Sequence, residues 1–263
     1  MSLVTIASLA AAGVGAGLLL GMLLFAEVGR RMGRARLARD PEGLSKGAGA
    51  AEAAVFALLG LLIAFTFSGA SSRFEARRLL VGTETNAIGT AYLRLDLLPP
   101  SAQPEIRALF GRYVDNRLAT YRDSRSLAEA NAKLAEAAVL QQELWTKAVT
   151  ASRQPDAAPQ ATMLLLPALN EMIDITTTRV VATQNHPPLV VFLMLGGLVL
   201  VGALLVGYGS SANKDRSWFH MIVFATILSV TIYVIIDLEY PRLGLIRVDG
   251  ADQVLIELRE SIR

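Results

Sequence analysis

Few residues of this sequence have types and spacings that could support catalysis. Only two histidines occur, His186 and His220, and neither has a second ligand three or four residues away that would complete a metal-binding helix face. Cysteine is absent, which excludes disulfides, iron–sulfur clusters and cysteine catalysis. No serine lies in a nucleophile-elbow context, and the glycine pattern "GVGAGLLLG" lies inside an apolar run with no strand before it. We therefore expect no catalytic residue, no metal, no cofactor and no enzyme activity.

Charged residues instead form small islands beside or within apolar, helix-forming stretches. Arg73, Arg77 and Arg78 directly follow an apolar run, where arginines can attract anions or bind lipid headgroups. Polar islands in apolar helices often form buried hydrogen-bond networks that fix helix register, and we expect such networks here. The residues concerned are Glu84, Asn86, Asn170, Glu171, Asp174 and Arg179, and also Asp237, Glu239 and Arg242 at the end of the last apolar run.

Two interpretations are open for the carboxylates of Asp237 and Glu239. Carboxylates at a membrane edge are costly unless they are paired or hydrated. A structural ion pair with the arginines that follow the second apolar run is the favoured interpretation. A gate or an ion site is the alternative, because charged groups in such places are often functional.

The composition indicates a protein that is part membrane and part soluble. Hydrophobic residues make up 53% of the 263 residues and charged residues 18%, which is too apolar for an ordinary soluble domain and too polar for an all-membrane protein. A net charge of +2 gives no reason to expect a nucleic-acid partner. Four stretches are long enough to cross a bilayer, which takes about 20 apolar residues. These predicted spans are about Leu3–Ala26, Ala53–Ala70, Leu189–Tyr208 and Trp218–Ile236.

The spans divide the chain into four predicted parts, two of membrane helices and two without spans. In order, these are residues 1–70 with the first two spans and a basic connecting loop, 71–188 as a helical extramembrane domain, 189–238 with the third and fourth spans, and 239–263 as a C-terminal segment with an amphipathic helix.

The second span is not expected to end at the membrane surface. No proline occurs between Pro41 and Pro99, so one helix can continue from about Ala50 to Leu97. At 1.5 Å per residue such a helix is on the order of 70 Å long, and its polar half needs other helices or other subunits around it.

The glycines of the first span have two interpretations. Gly13, Gly15, Gly17 and Gly21 could allow close packing of helices in the membrane, because small residues let backbones approach. Alternatively they reflect only the general frequency of glycine in membrane helices.

Basic residues crowd the loop that follows the first span. By the positive-inside rule this loop is cytoplasmic, which places residues 71–188 on the periplasmic side of a bacterial inner membrane. The basic residues are Arg30, Arg31, Arg34, Arg36, Arg39 and Lys46.

Three motifs in this chain resemble the bestrophin-like membrane family. They are "RFEARRLLVGTETNAIGTAYLRLDLLP", "LNEMIDITTTR" and "YVIIDLEYPRLGLIRV", and the resemblance extends from the second span to the C-terminal helix. The chain departs from the family pattern at Thr85, where alanine is more frequent, and at Glu239, where aspartate is more frequent.

This resemblance implies an architecture and a function. Bestrophins are homopentameric anion channels whose second membrane helix lines the pore and continues into a helical cytosolic region. The resemblance therefore implies an all-α, four-span membrane protein with a helical extramembrane domain between spans two and three, assembled as a homo-oligomer that conducts small inorganic anions such as chloride. It also implies that residues 71–188 lie in the cytoplasm, opposite to the prediction from loop charge.

The resemblance also implies roles for residues of the second span. Ile63, Phe65 and Phe67 are candidate constriction residues and Ser68 a candidate pore-lining residue, while Arg73, Arg77 and Arg78 would form positive rings. The alternatives are phenylalanines that pack or face lipid, and arginines that bind headgroups of membrane lipid.

A different class of function is the alternative to a channel. The small residues along the second span fit close helix packing equally well. On that interpretation the protein is a non-conducting membrane scaffold or sensor, whose helical soluble domain binds a partner or a ligand.

Overall fold

The computed structural model describes residues 3–40, 48–122, 127–212, 218–240, 245–246 and 249–262. Within these ranges the regular elements are all helical, which confirms the predicted all-α class. Short 3-10 turns follow α2 and α6. The helices are α1 Leu3–Leu37, α2 Ala48–Leu93, α3 Gln103–Arg122, α4 Leu127–Ser152, α5 Ala161–Gln184, α6 Leu189–Gly209, α7 Trp218–Glu239 and α8 Asp249–Ser261.

Four segments of the described helices have the length and the apolar composition needed to cross a membrane. Each of them overlaps one predicted span, so the four-span prediction is confirmed. The segments are Ala12–Leu37, Gly49–Leu97, Ala161–Ala212 and Trp218–Glu239.

The helix α2 continues far beyond its apolar part, as predicted. It runs without a break from Ala48 to Leu93, and a 3-10 turn over Arg94–Leu97 follows it. Its 46 residues correspond to about 70 Å at 1.5 Å per residue. Pro99 and Pro100 come directly after, where the chain leaves helical geometry.

The chain divides into two compact units, each of which combines separate segments. The predicted division into parts, including an extramembrane domain over 71–188, stays a prediction. The predicted C-terminal part, 239–263, is divided between the two units. Unit 1 comprises Met1–Val4, Arg73–Asn185 and Arg247–Arg263, and unit 2 comprises Thr5–Ser72 and His186–Ile246.

Unit 1 is held together by a hydrophobic core to which α2, α3, α4, α5 and α8 contribute. On α3 the side chains of Ile106, Phe110 and Tyr113 are fully buried at helical spacing. The amphipathic C-terminal helix α8 docks on this domain, because Leu255 and Ile262 belong to the same core.

Unit 2 contains a close crossing of α1 and α6. A Cβ atom added at Gly29 would overlap the carbonyl oxygen of Leu204, and one added at Gly207 would overlap the carbonyl oxygen of Ala26. The two backbones therefore touch, and only glycine fits at these positions.

The glycines that sequence analysis selected in α1 do not make this crossing. A Cβ atom at Gly13 or Gly17 would have no neighbour within 4 Å, and one at Gly15 would make only ordinary van der Waals contact. At Gly21 it would lie 3.1 Å from a side-chain carbon of Leu200. The backbone contact lies at Gly29, two turns beyond Gly21. Its partner Gly207 lies near the end of α6.

Candidate functional site

The apolar part of α2 presents a line of small side chains on one side of the helix. Ala57, Gly60, Ala64, Ser68 and Ser71 follow one another at intervals of three or four residues, so they share a face. All five are exposed in the single chain. A membrane helix with such a face can pack closely against another helix or can border a narrow aqueous path.

The candidate constriction residues flank this line. Phe65 is 68% exposed and Phe67 is 44% exposed, so neither ring is packed in the core of its own chain. Ser68 belongs to the line of small residues itself and is exposed. Ile63 is half-buried. Three of the four predicted residues are therefore accessible, and Ile63 is partly committed to packing.

One of the three predicted arginines caps a helix. Arg77 is only 8% exposed. Its Nε donates a 3.0 Å hydrogen bond to the carbonyl of Ala182, and its Nη2 donates a 2.9 Å hydrogen bond to the carbonyl of Asn185. These carbonyls belong to the C-terminal end of α5, where helical carbonyls have no partner within the helix and a cation is favoured.

The other two arginines differ from Arg77 in their surroundings. Arg73 is half-buried. Arg78 is exposed, and its Nη2 lies 3.2 Å from Oε1 of Glu75 in the preceding turn. The three charges expected to act together are thus in three different environments.

A buried ion-pair cluster joins α2, α3 and α5 within unit 1. Oε1 of Glu84 accepts a 2.6 Å hydrogen bond from Nε of Arg117, and Nη1 of Arg179 pairs with Oε2 of the same carboxylate. The side chains of Glu84 and Arg117 are completely buried, and that of Arg179 nearly so. One buried carboxylate therefore pairs with two buried guanidinium groups, and buried charges require such hydrogen-bonded geometry.

The sequence pattern indicated Glu84 and Arg179 as members of a polar network, but not Arg117. The signal was present, because Arg117 follows the core residues Phe110 and Tyr113 by seven and four residues on the buried stripe of α3. A charged residue on an apolar stripe must find a partner in the core.

A second buried polar group lies on the same stripe of α3. The hydroxyls of Tyr113 and Thr176 are 3.1 Å apart, and Nε2 of Gln141 donates to both, at 3.1 Å and 2.9 Å. Burial raises the pKa of the Tyr113 hydroxyl above its usual range. This triangle links α3, α4 and α5 through satisfied hydrogen bonds.

The remaining members of the predicted polar network in unit 1 are exposed. Asn86 lies on the outer side of α2, and Asn170, Glu171 and Asp174 lie on the outer side of α5. Nδ2 of Asn170 donates a 2.9 Å hydrogen bond to Oδ2 of Asp174, one turn further along. The expected burial thus applies to Glu84 and not to these four, because they lie on helix faces opposite to the core.

Within unit 2, Asp237 is buried and holds the chain that follows α7. Its Oδ2 accepts hydrogen bonds from the backbone N–H groups of Leu245, at 3.0 Å, and Ile246, at 2.8 Å. Arg242, the third member of the polar group predicted at the end of the last span, lies outside the described residues.

Glu239 is buried at the end of α7, beside a histidine. Its Oε2 lies 3.3 Å from Nδ1 of His186, whose ring stacks on that of Tyr240 with centroids 4.6 Å apart. No role was predicted for His186 from the sequence. The ion pair of Asp237 or Glu239 with the arginines that follow the second span stays a prediction.

Among the described residues, no group of three or more histidine, aspartate and glutamate side chains could hold a metal ion.

The family assignment follows from comparison with known proteins. A family model described as a Bestrophin-like domain matches residues 15–252. The chain belongs to the bestrophin-like family. The resemblance proposed from the three sequence motifs is thereby confirmed. A search of curated proteins gave no match for this bestrophin-like chain.

Solved structures share the fold of this bestrophin-like protein. A crystal structure of a bacterial bestrophin homologue from Klebsiella pneumoniae superposes with a TM-score of 0.66 at 14% sequence identity, covering 93% of this chain and 97% of the homologue. A crystal structure described as that of a membrane protein gives a TM-score of 0.63 at 15% identity, covering 92% and 98%. The chain thus shares the fold of the bacterial bestrophin homologue over nearly its whole length.

Proposed function

We propose that this bestrophin-like protein is a homo-oligomeric ion channel, and that the exposed face of α2 lines its pore. The observation that carries the proposal is the line of small and hydroxyl-bearing residues on that face, from Ala57 to Ser71. A serine hydroxyl finds no hydrogen-bond partner in lipid hydrocarbon, whereas a packed helix or water can provide one. Membership of the bestrophin-like family supports this role for α2, because the resemblance to bestrophins implies a second membrane helix that lines the pore.

Small inorganic anions, chloride above all, are the proposed permeant ions. Phe65 and Phe67 flank the pore face, and apolar constrictions of this kind can gate by dewetting. Arg78 is exposed beyond the constriction and can attract anions towards it, whereas Arg73 is half-buried. Arg77 contributes less, because its guanidinium already caps the end of α5.

A pentamer in a bacterial inner membrane is the proposed assembly, with membrane lipid around it. The pentamer comes from the family resemblance, since a single copy of α2 cannot enclose a pore. Resemblance to bestrophins favours a cytoplasmic location of residues 71–188. The basic loop after α1 favours a periplasmic one.

A groove in unit 1 supports the second candidate function, a non-conducting scaffold or sensor. The groove has a volume of about 580 Å³ and lies beside α3 and α8, with Arg107, Arg112 and Arg259 among its lining residues. Arg259 is held there by Asp115, whose carboxylate accepts hydrogen bonds at 2.6 and 2.9 Å. A ligand with carboxylate groups would suit such a lining.

The deciding experiment is electrical recording of the purified full chain in planar bilayers under a KCl gradient. A reversal potential close to the chloride equilibrium value supports the proposed anion channel. A reversal close to the potassium value retains the channel and contradicts the anion preference. A well-folded oligomer that stays silent across voltage, pH and calcium contradicts the channel and favours the scaffold.

A further inference from the structure

The charged side chain at the centre of the exposed face of α2 is an acid. Glu75 follows Ser68 by seven residues and Ala64 by eleven, and both spacings return to the same side of an α-helix. The side chain of Glu75 is 46% exposed. The line of small residues in the apolar part of α2 therefore continues into a carboxylate just past it.

The arginines of this segment do not share that position. Arg77 and Arg73 precede the buried Glu84 by seven and eleven residues, so they lie on the opposite, packed side of α2. Arg77 is indeed buried, with its guanidinium on the carbonyls of α5. Only Arg78 joins Glu75 near the exposed face.

Glu75 and Arg78 form an exposed ion pair one turn apart. Nη2 of Arg78 lies 3.2 Å from Oε1 of Glu75, and the two side chains are 55% and 46% exposed. Pairs in such surroundings are held weakly, so both groups remain available to ions in solution. Their formal charges cancel, which leaves the exposed face of α2 without net charge at this level.

We propose that Glu75 and Arg78 are the specificity-determining residues of the pore, and that their balance sets its preference between anions and cations. Glu75 opposes the anion preference that Arg78 supplies, because rings of acidic side chains favour cations and rings of basic ones favour anions. This inference rests on the proposed channel function. On this proposal the pore carries one acidic and one basic side chain per subunit, with opposite effects on ion preference, instead of the three arginines expected from the sequence.

The test compares two single variants with charge-matched controls in the reconstituted full chain. We expect Glu75→Gln to raise the chloride-to-potassium permeability ratio by about threefold or more, and Arg78→Gln to lower it by a similar factor. The controls are Glu105→Gln and Lys147→Gln, which make the same charge changes in an ion pair of 2.7 Å between α3 and α4. Neither control should change the ratio.

The double variant Glu75→Gln/Arg78→Gln gives the sharpest measurement. It restores zero net charge on the face, so its permeability ratio should return to that of the unaltered chain. A general disturbance of folding by either substitution would not be reversed by the second one. Elution as the same oligomer in detergent establishes that each variant has assembled.

The failures of the two proposals are distinguishable. Currents in every variant with one unchanged permeability ratio overturn the role of Glu75 and Arg78 and leave the channel intact. A shift of the same size in the controls also overturns it. Absence of current from the unaltered chain and from all variants overturns both proposals together.

Discussion

Glu84 and Arg117 meet at 2.6 Å in a site where neither side chain is exposed. Arg179 closes the cluster from α5, 95 residues away in sequence. The carboxylate on the long helix α2 is thus bound to two neighbouring helices of unit 1 at once. Such a cluster specifies one register of α2 against α3 and α5, because any other register would leave a buried charge without compensation.

Loss of the Glu84 carboxylate should therefore strongly destabilise unit 1. We expect Glu84→Gln to lower the free energy of unfolding of unit 1 by about 3–5 kcal/mol, since two guanidinium groups stay buried without their counter-charge. Denaturant unfolding in detergent, followed by the fluorescence of Trp145, measures this. The matched control is Glu143→Gln in the exposed pair with Arg112. Equal free energies of unfolding for the two variants would show that the buried cluster does not stabilise unit 1.

The crossing of α1 and α6 should tolerate no side chain at its centre. We expect Gly207→Ala to destabilise unit 2 by roughly 1–3 kcal/mol, because the added methyl group overlaps the carbonyl of Ala26 and the helices must separate. Thermal unfolding in detergent measures the loss. Gly17→Ala adds the same methyl group where nothing lies within 4 Å, and should change stability little. A normal melting temperature for Gly207→Ala would contradict the backbone contact.

The constriction can be tested by truncation at Phe65. If the ring narrows the proposed pore, Phe65→Ala should increase the single-channel current severalfold, because an apolar barrier to hydration is removed. Phe219→Ala provides the control, since Phe219 is even more exposed, at 74%, but lies at the start of α7. Identical currents in both variants would mean that Phe65 faces lipid or another subunit instead.

The buried hydroxyl of Tyr113 should make unit 1 sensitive to alkaline pH. Its pKa is raised by burial, so above about pH 10 the unfolded chain loses this proton while the folded chain still holds it. Because the folded state then binds more protons, stability is fully present below that pH and falls as pH rises through the folded pKa. Denaturant midpoints of the unaltered chain and Tyr113→Phe, measured from neutral to alkaline pH, give the difference. Parallel curves for the two proteins would refute this contribution.

Local patterns were sufficient to predict much of the architecture. Apolar length predicted the four spans, and the absence of proline between Pro41 and Pro99 predicted the continuity of α2. The sequence also predicted an amphipathic helix within residues 239–263, which α8 forms. These features depend on residues close together in the chain, so their physical causes can be seen in the sequence.

The chemistry of the candidate site depended on contacts between distant residues. The sequence by itself determined which segments are helical, which are apolar enough for a membrane, and that charged residues follow the second span. Only the tertiary structure decided that the Arg77 guanidinium donates to the carbonyls of α5 and that Arg117 pairs with Glu84 across 33 residues. The reason is that period and composition act along one helix, whereas the partner of a charge depends on how helices are rotated and packed against one another.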